Sequence, residues 1–220
     1  MDATGSMQGA IDGAKNTIMT LVTNLQKVKE ELGAGGRIVG QVIQYRDFAE
    51  RWNPAGTNFY NMNSLTEDFN VLKQRLSEFR ADGGADGCED MQYGFEMALD
   101  NIQRSGVSDY FHFFVVIGDA PNHGDNPTMS CDYPNTHPIY NKSYSTVWNE
   151  LFDRLKKLGD FKVCIIPVGG DYIKAIYEVM RKPENLGDRV DKKNQISASE
   201  LSSVLISETV STYRMGIIHG

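Results

Sequence analysis

Apolar side chains recur at alternating steps of four and three from Met7 to Leu32, at Met7, Ile11, Ala14, Ile18, Leu21, Leu25, Val28 and Leu32. That spacing is the stripe of a long amphipathic helix. Gly33 ends it and the Gly35-Gly36 pair supplies a turn. The run RIVGQVIQY (37–45) is rich in Val and Ile and predicts a strand. A polar stretch over 46–56 predicts a loop, and TNFYNMN (57–63) a short edge strand. Helical spacing returns from Ser64 to Phe79, with Ser64 as N-cap and Glu67 three places later as the second half of a capping box. The glycine-rich loop ADGGADGCED (81–90) opens a helix that runs to about Arg104. FHFFVVI (111–117) and FKVCIIPV (161–168) are continuous apolar runs, as strands buried on both faces require. Between them, 118–145 is irregular, and at that length such a loop is usually functional. Further helices are predicted over 146–158, 171–181 and 198–214, the last capped by Ser197 or Ser199. Strands alternating with helices imply an α/β fold: a doubly wound, mainly parallel sheet flanked by helices. No linker, repeat or low-complexity stretch divides the sequence, so 1–220 is one domain.

Composition narrows the class little. The 220 residues are 40% hydrophobic and 23% charged, enough to build a sizeable core. A net charge of -7 argues against nucleic acid and anionic membrane as partners. No apolar run reaches membrane-spanning length. The three cysteines, Cys88, Cys131 and Cys164, form no C-x-x-C pair. So sparse a set implies reduced thiols and favours the cytoplasm over an extracellular setting. Cys164, inside an apolar run, reads as a small buried hydrophobe.

Candidate chemistry lies where loops meet helices. Ligands bind doubly wound sheets at the carboxyl ends of the strands, and three oxygen-rich segments fall there. They are Asp2-Ala3-Thr4-Gly5-Ser6, the Gly83–Asp90 loop, and Asp119 directly after FHFFVVI. Hard oxygen donors without His or Cys suit magnesium, with manganese or calcium as substitutes.

In order along the sequence, DATGSM, Tyr45-Arg46-Asp47, GGADGCED and GDAPNHG resemble the von Willebrand factor A domain. The resemblance is closest to the intracellular branch that includes the A domains attached to α-kinases. It implies a metal-ion-dependent adhesion site at the top of the sheet. Asp2, Thr4 and Ser6 match its D-x-S/T-x-S element, and Asp119 matches its later aspartate. The middle loop departs from the commonest pattern, which has a threonine ligand. Asp86-Gly87-Cys88-Glu89 is instead similar to the D-x-P-E motif in the corresponding domain of integrin β polypeptides. That similarity carries the middle ligand role to Glu89. The resemblance also implies that the hydroxyls bind the ion directly, while Asp2 and Asp119 act largely through water. A protein partner's Asp or Glu then completes the coordination. On that basis the protein is a cation-dependent protein-binding domain with no catalytic step, part of a larger multidomain protein.

Blander roles compete at each position. Thr4 and Ser6 are ordinary N-cap residues. Asp90 is a first-turn carboxylate that complements a helix dipole, and Arg46 and Asp47 form a structural ion pair. His123 shapes the rim of the site or is solvated, and His112 is a core or edge histidine. His137 has no partner apparent in the sequence. The alternatives are a metal-dependent hydrolase or transferase using the same carboxylates, with His123 as base, and a metal-free scaffold. Ser6 lacks a G-x-S-x-G elbow and GGADG lacks the G-K-[ST] of a P-loop, which weakens the enzyme alternative. In the resembled fold a central apolar strand ends just before D-x-T-x-S, and here only Met1 precedes Asp2. The expectation is therefore a truncated sheet, poor stability and a poorly positioned Asp2.

Overall fold

A computed structural model describes residues 1–31, 37–46, 64–81, 83, 87–107, 110–123, 136–137, 140–170 and 172–219. Its centre is strand β4, Phe161–Pro167. Strand β1 (His112–Gly118) runs parallel to it, His112 opposite Phe161 through Gly118 opposite Pro167. Strand β5 (Val190–Lys192) is parallel on its other side, giving the order β1-β4-β5. The period of two along β4 sorts its side chains between two apolar layers. Val163 and Ile165 enter a cluster with helices α3 (Met91–Ser105), α4 (Tyr144–Lys157) and α5 (Lys174–Met180). Cys164 and Ile166 enter another with α1 (Gln8–Glu31), α2 (Phe69–Glu78) and α6 (Leu201–His219). Fully burying an Ile of this kind contributes about 1.5–3 kcal/mol. The fold is thus α/β, a parallel sheet between two helical layers, as the alternation of elements predicts.

The helices begin and end where local chemistry satisfies their open backbone groups. Asp90 caps α3 by accepting from the Tyr93 amide at 3.1 Å, and Gly106 closes it in the left-handed conformation, φ 63°. Ser143 caps α4 by accepting from the Thr146 amide at 3.2 Å. Arg154, Lys156 and Lys157 in its last turn complement the helix dipole. Ahead of α6, Glu200 accepts from the Ser197 amide at 2.9 Å and its hydroxyl at 2.7 Å, one half of a capping box. Strand β2 (Thr136–His137) pairs antiparallel with β3 (Lys142–Ser143), a small hairpin within the stretch expected to be irregular.

Two local expectations are corrected. The helix expected from Ser64 starts at Phe69, capped by Asp68, which accepts from the Asn70 amide at 2.9 Å. Tertiary contacts claim the earlier residues: Thr66 and Gly40 exchange backbone hydrogen bonds, Glu67 pairs with Arg37, and Ser64 accepts from Arg75. The run 37–45 forms no strand but only isolated bridges, Gly40 with Thr66 and Tyr45 with Asp2. A ladder needs a continuous neighbour, and between 37–43 and β1 there is a cavity of about 400 Å³. The strand expected over 57–63 and most of the loop at 46–56 lie outside the described residues.

Among the described residues no strand lies between 37–43 and β1, and Met1–Ala3 stands at the carboxyl end of the space between them. The Met1 ammonium donates to the Ile43 carbonyl at 2.7 Å and the Tyr45 amide to the Met1 carbonyl at 3.1 Å. On the other side the Asp2 amide donates to the Ile117 carbonyl at 2.8 Å. Asp2 is held from both sides, against the expectation that it would be poorly positioned.

Candidate metal centre

Asp2, buried and bonded between Tyr45 and β1, leads into the 3-10 turn Gly5–Met7 at the start of α1. Its Oδ1 accepts from the Thr4 amide at 2.9 Å and the Thr4 hydroxyl at 2.8 Å. Its Oδ2 is buried without a hydrogen-bond partner. Asp119 follows β1 directly, and its Oδ1 is likewise buried and unpartnered. Burial, then repulsion from Asp119, pushes the Asp2 carboxyl up from 3.8 to about 7, although the Thr4 hydrogen bonds pull the other way.

Glu89 reaches the same edge from the third segment. Its amide donates to the Pro121 carbonyl at 2.9 Å and its carbonyl accepts from the His123 amide at 3.3 Å. The neighbouring Asp90 amide donates to the Arg46 carbonyl at 3.2 Å, and Arg46 Nη2 reaches the Arg80 carbonyl at 2.5 Å. Glu89 and Asp90 are thereby stitched between the 45–46 and 121–123 segments. Beneath lies Tyr45, whose hydroxyl is buried with no hydrogen-bond partner. Burial and then the charges of Asp2, Glu89 and Asp119 push it well above its ordinary range. A Cβ at Gly118 would stand 2.8 Å from that hydroxyl and 3.4 Å from Asp2 Oδ2, so only glycine fits between them.

Three of the five candidate ligands, Asp2, Glu89 and Asp119, thus act by their charge on one hydroxyl at the carboxyl edge of β1, and Thr4 is hydrogen-bonded to Asp2. Ser6 is exposed in the following turn. Among the described residues no three His, Cys, Asp or Glu side chains form a group that holds a metal by themselves. Asp2, Glu89 and Asp119, the three carboxylates of the expected set, therefore do not stand together in metal-holding geometry. Unpartnered buried carboxylate oxygens suit a hard cation, which would cancel their mutual repulsion.

Some contributors escape the sequence patterns. Asn122 is fully buried, accepts from the Met91 amide at 3.1 Å and donates to Gln92 at 3.1 Å. His137 has a partner after all: its Nε2 lies 3.0 Å from Asp90 Oδ1, both side chains enclosed, with the Tyr140 and Tyr144 rings against the imidazole. His123 is buried and stacked on Tyr144, which excludes the solvated alternative, and its amide donates to the Glu89 carbonyl beside the site. His112 is buried, as expected of a core or edge histidine. Within GDAPNHG, Asn122 was visible as a polar residue after a buried strand; nothing in the sequence joins His137 to Asp90.

Cys88, beside Glu89, is disulfide-bonded, which corrects the expectation of reduced thiols and removes one argument for the cytoplasm. A count of cysteines carries no information about which are neighbours in space. Cys131 lies outside the described residues. Cys164 is free and buried, and burial pushes its thiol up to about 12, consistent with an inert core residue.

Comparison with protein-family models and with curated proteins finds no match to this sequence. No helix among the described residues is long and apolar enough to cross a membrane. What stands is the class of fold, an α/β protein of Rossmann-like build with an acidic, hydroxyl-bearing site at the carboxyl edge of its sheet.

Proposed function

We propose that the protein is a von Willebrand factor A-type domain that binds a protein partner through a divalent cation, magnesium first. One observation carries this: Asp2 Oδ2 and Asp119 Oδ1 are both buried without a hydrogen-bond partner, close enough for each charge to act on the other. Thr4, Ser6 and Glu89 would complete the ligand set with Asp2 and Asp119. When bound, the cation supplies a positive charge with an exchangeable position for a partner's Asp or Glu carboxylate, a charge-assisted contact of the strong kind. Thr4 orients Asp2 by occupying Oδ1 twice, which leaves Oδ2 for the cation. Tyr45 and Gly118 set the floor: the glycine lets Asp2 close against β1, and the phenol excludes water beneath the carboxylates. No residue here is asked to do catalysis.

The test is selection of random peptides on the immobilised protein in magnesium. Enriched peptides should share an Asp or Glu and be released by EDTA. Enrichment of peptides without a carboxylate, or binding unaffected by EDTA, rejects the proposal. Peptide hydrolysis or group transfer that is lost in His123→Ala would point to the enzyme alternative instead.

A further inference from the structure

The β2–β3 hairpin ends in a polar tip that the cation site does not use. Strand β2 stops at His137, β3 starts at Lys142, and the Asn141 amide donates to the His137 carbonyl at 2.9 Å to close the turn. Among the described residues Asn141 alone, glycines aside, has a positive φ, 51°. Asparagine enters that left-handed region more readily than most residues. Asn141, Lys142 and Ser143 are all exposed. Lys142 Nζ lies 2.7 Å from Glu150 Oε1, and the Ser143 hydroxyl caps α4. No hydrogen bond among the described residues ties down the Asn141 side-chain amide. Asn141-Lys142-Ser143 is also an N-x-S sequon. Asn126-Pro127-Thr128 has the same outline but is barred by its proline, and no other asparagine of the 220 residues has Ser or Thr two places on. By itself a three-residue motif carries little weight. Two further observations point the same way. The asparagine stands at an exposed turn, where an attached sugar meets solvent and displaces no packing. Cys88 is disulfide-bonded, and disulfides form and persist in the oxidising compartments, the endoplasmic reticulum lumen among them, where such sequons are read.

We propose that Asn141 is an N-glycosylation site, with a lipid-diphosphate-linked oligosaccharide as the donor. In the transfer Asn141 Nδ2 bonds to C1 of the first sugar, and the bond from C1 to the diphosphate oxygen breaks. The amide proton that is released ends on the departing lipid diphosphate, and nothing is oxidised or reduced. The transferase reads an extended sequon and needs the hydroxyl two places on. In the folded protein Ser143 Oγ is engaged, accepting from the Thr146 amide at 3.2 Å. Transfer therefore precedes closure of the α4 cap, and the folded hairpin has only to accommodate the product. The exposed, left-handed tip does so. The inference does not depend on the cation site. It sets the protein apart from the intracellular branch that its sequence resembles most closely.

The test is made on the full protein isolated from the cells that make it. Half is digested with peptide-N-glycosidase in heavy-oxygen water, which leaves a heavy aspartate wherever a glycan stood; the other half is left untreated. Mass spectrometry of the peptide spanning residue 141 should show heavy aspartate there in the treated half, and bare Asn141 in only a minority of the untreated half. Ser143→Thr, which keeps a hydroxyl for both transferase and helix cap, should retain the heavy aspartate. Ser143→Ala should lose it, and because transfer precedes folding this readout does not require that the variant fold. Bare Asn141 throughout both halves of the parent would overturn the inference. So would heavy aspartate that persists in Ser143→Ala, since the sequon would then not direct the change. Alkylation of Cys88 without prior reduction would also overturn it, because the protein would then reside in a reducing compartment.

Discussion

Replacing Asp2 by Asn should move the stability of the metal-free protein and its response to magnesium in opposite directions. Asn keeps Oδ1 for the Thr4 amide and hydroxyl and removes the buried charge that faces Asp119. The Asp2 carboxyl sits at about 7 in the folded state against 3.8 when unperturbed. Because the folded pKa is raised, the stability its protonated form contributes is fully present below about pH 4. It is lost as pH rises through about 7. At 1.36 kcal/mol per pKa unit the charged form costs at most about 4 kcal/mol at pH 8. The new amide must also find an acceptor, so about 1–3 kcal/mol of gain is expected. For a protein of this length that raises Tm by about 2–12 °C at pH 8. The gain should shrink at pH 5 and vanish near pH 4. Thermal melts over this pH range, with and without magnesium, read both effects. Magnesium should raise the Tm of the parent and leave that of the variant unchanged. A variant that melts below the parent at pH 8 without magnesium would refute the reasoning, because the carboxylate would then be stabilising as a charge.

Acetylating the Met1 amine should stabilise the fold most at pH 5 and little at pH 9. Burial lowers that amine from 8.0 to about 5, so its contribution to stability is present above 8 and lost as pH falls through 5. An equal Tm gain at both pH values in paired melts would contradict this. Gly118→Val should cost about 1–3 kcal/mol in urea unfolding, since its Cβ would meet the Tyr45 hydroxyl at 2.8 Å and Asp2 Cβ at 3.2 Å. It should also weaken magnesium binding; a variant indistinguishable from the parent in both would show that the Asp2–Gly118 contact is slack. His137→Leu removes the buried partner of Asp90 and should cost about 2–3 kcal/mol, with the loss concentrated in exchange protection at the start of α3. Unchanged protection there would mean that the pair contributes nothing to the helix.

The elements that were legible in the sequence are those whose pattern is intrinsic to one segment. The four-and-three stripe from Met7 located α1 to within a residue or two at each end, and the unbroken apolar runs located β1 and β4. What stayed hidden depends on partners far along the sequence. The segment 37–45 has strand composition, but a strand is a relation between segments, and its inner neighbour is a cavity. Strand β5 reads Val-Asp-Lys, too short and too polar to announce itself; its pairing with β4 makes it a strand. Ser64 and Glu67 spell a capping box, yet Glu67 is taken by Arg37, and the helix waits for Asp68. In the site, the D-x-T spacing pointed to Asp2 and Thr4 because their hydrogen bonds are local. The Tyr45 hydroxyl, the His137–Asp90 pair and the Cys88 disulfide were not deducible, since each depends on which distant loops meet.

Calorimetric titration of magnesium into the purified protein, beside Asp119→Ala and Ser6→Ala, tests the central claim most directly. The account predicts saturable binding to the parent that is lost in both variants while their folds persist by circular dichroism. Binding that survives both substitutions, or a folded parent that takes up no magnesium, would contradict it.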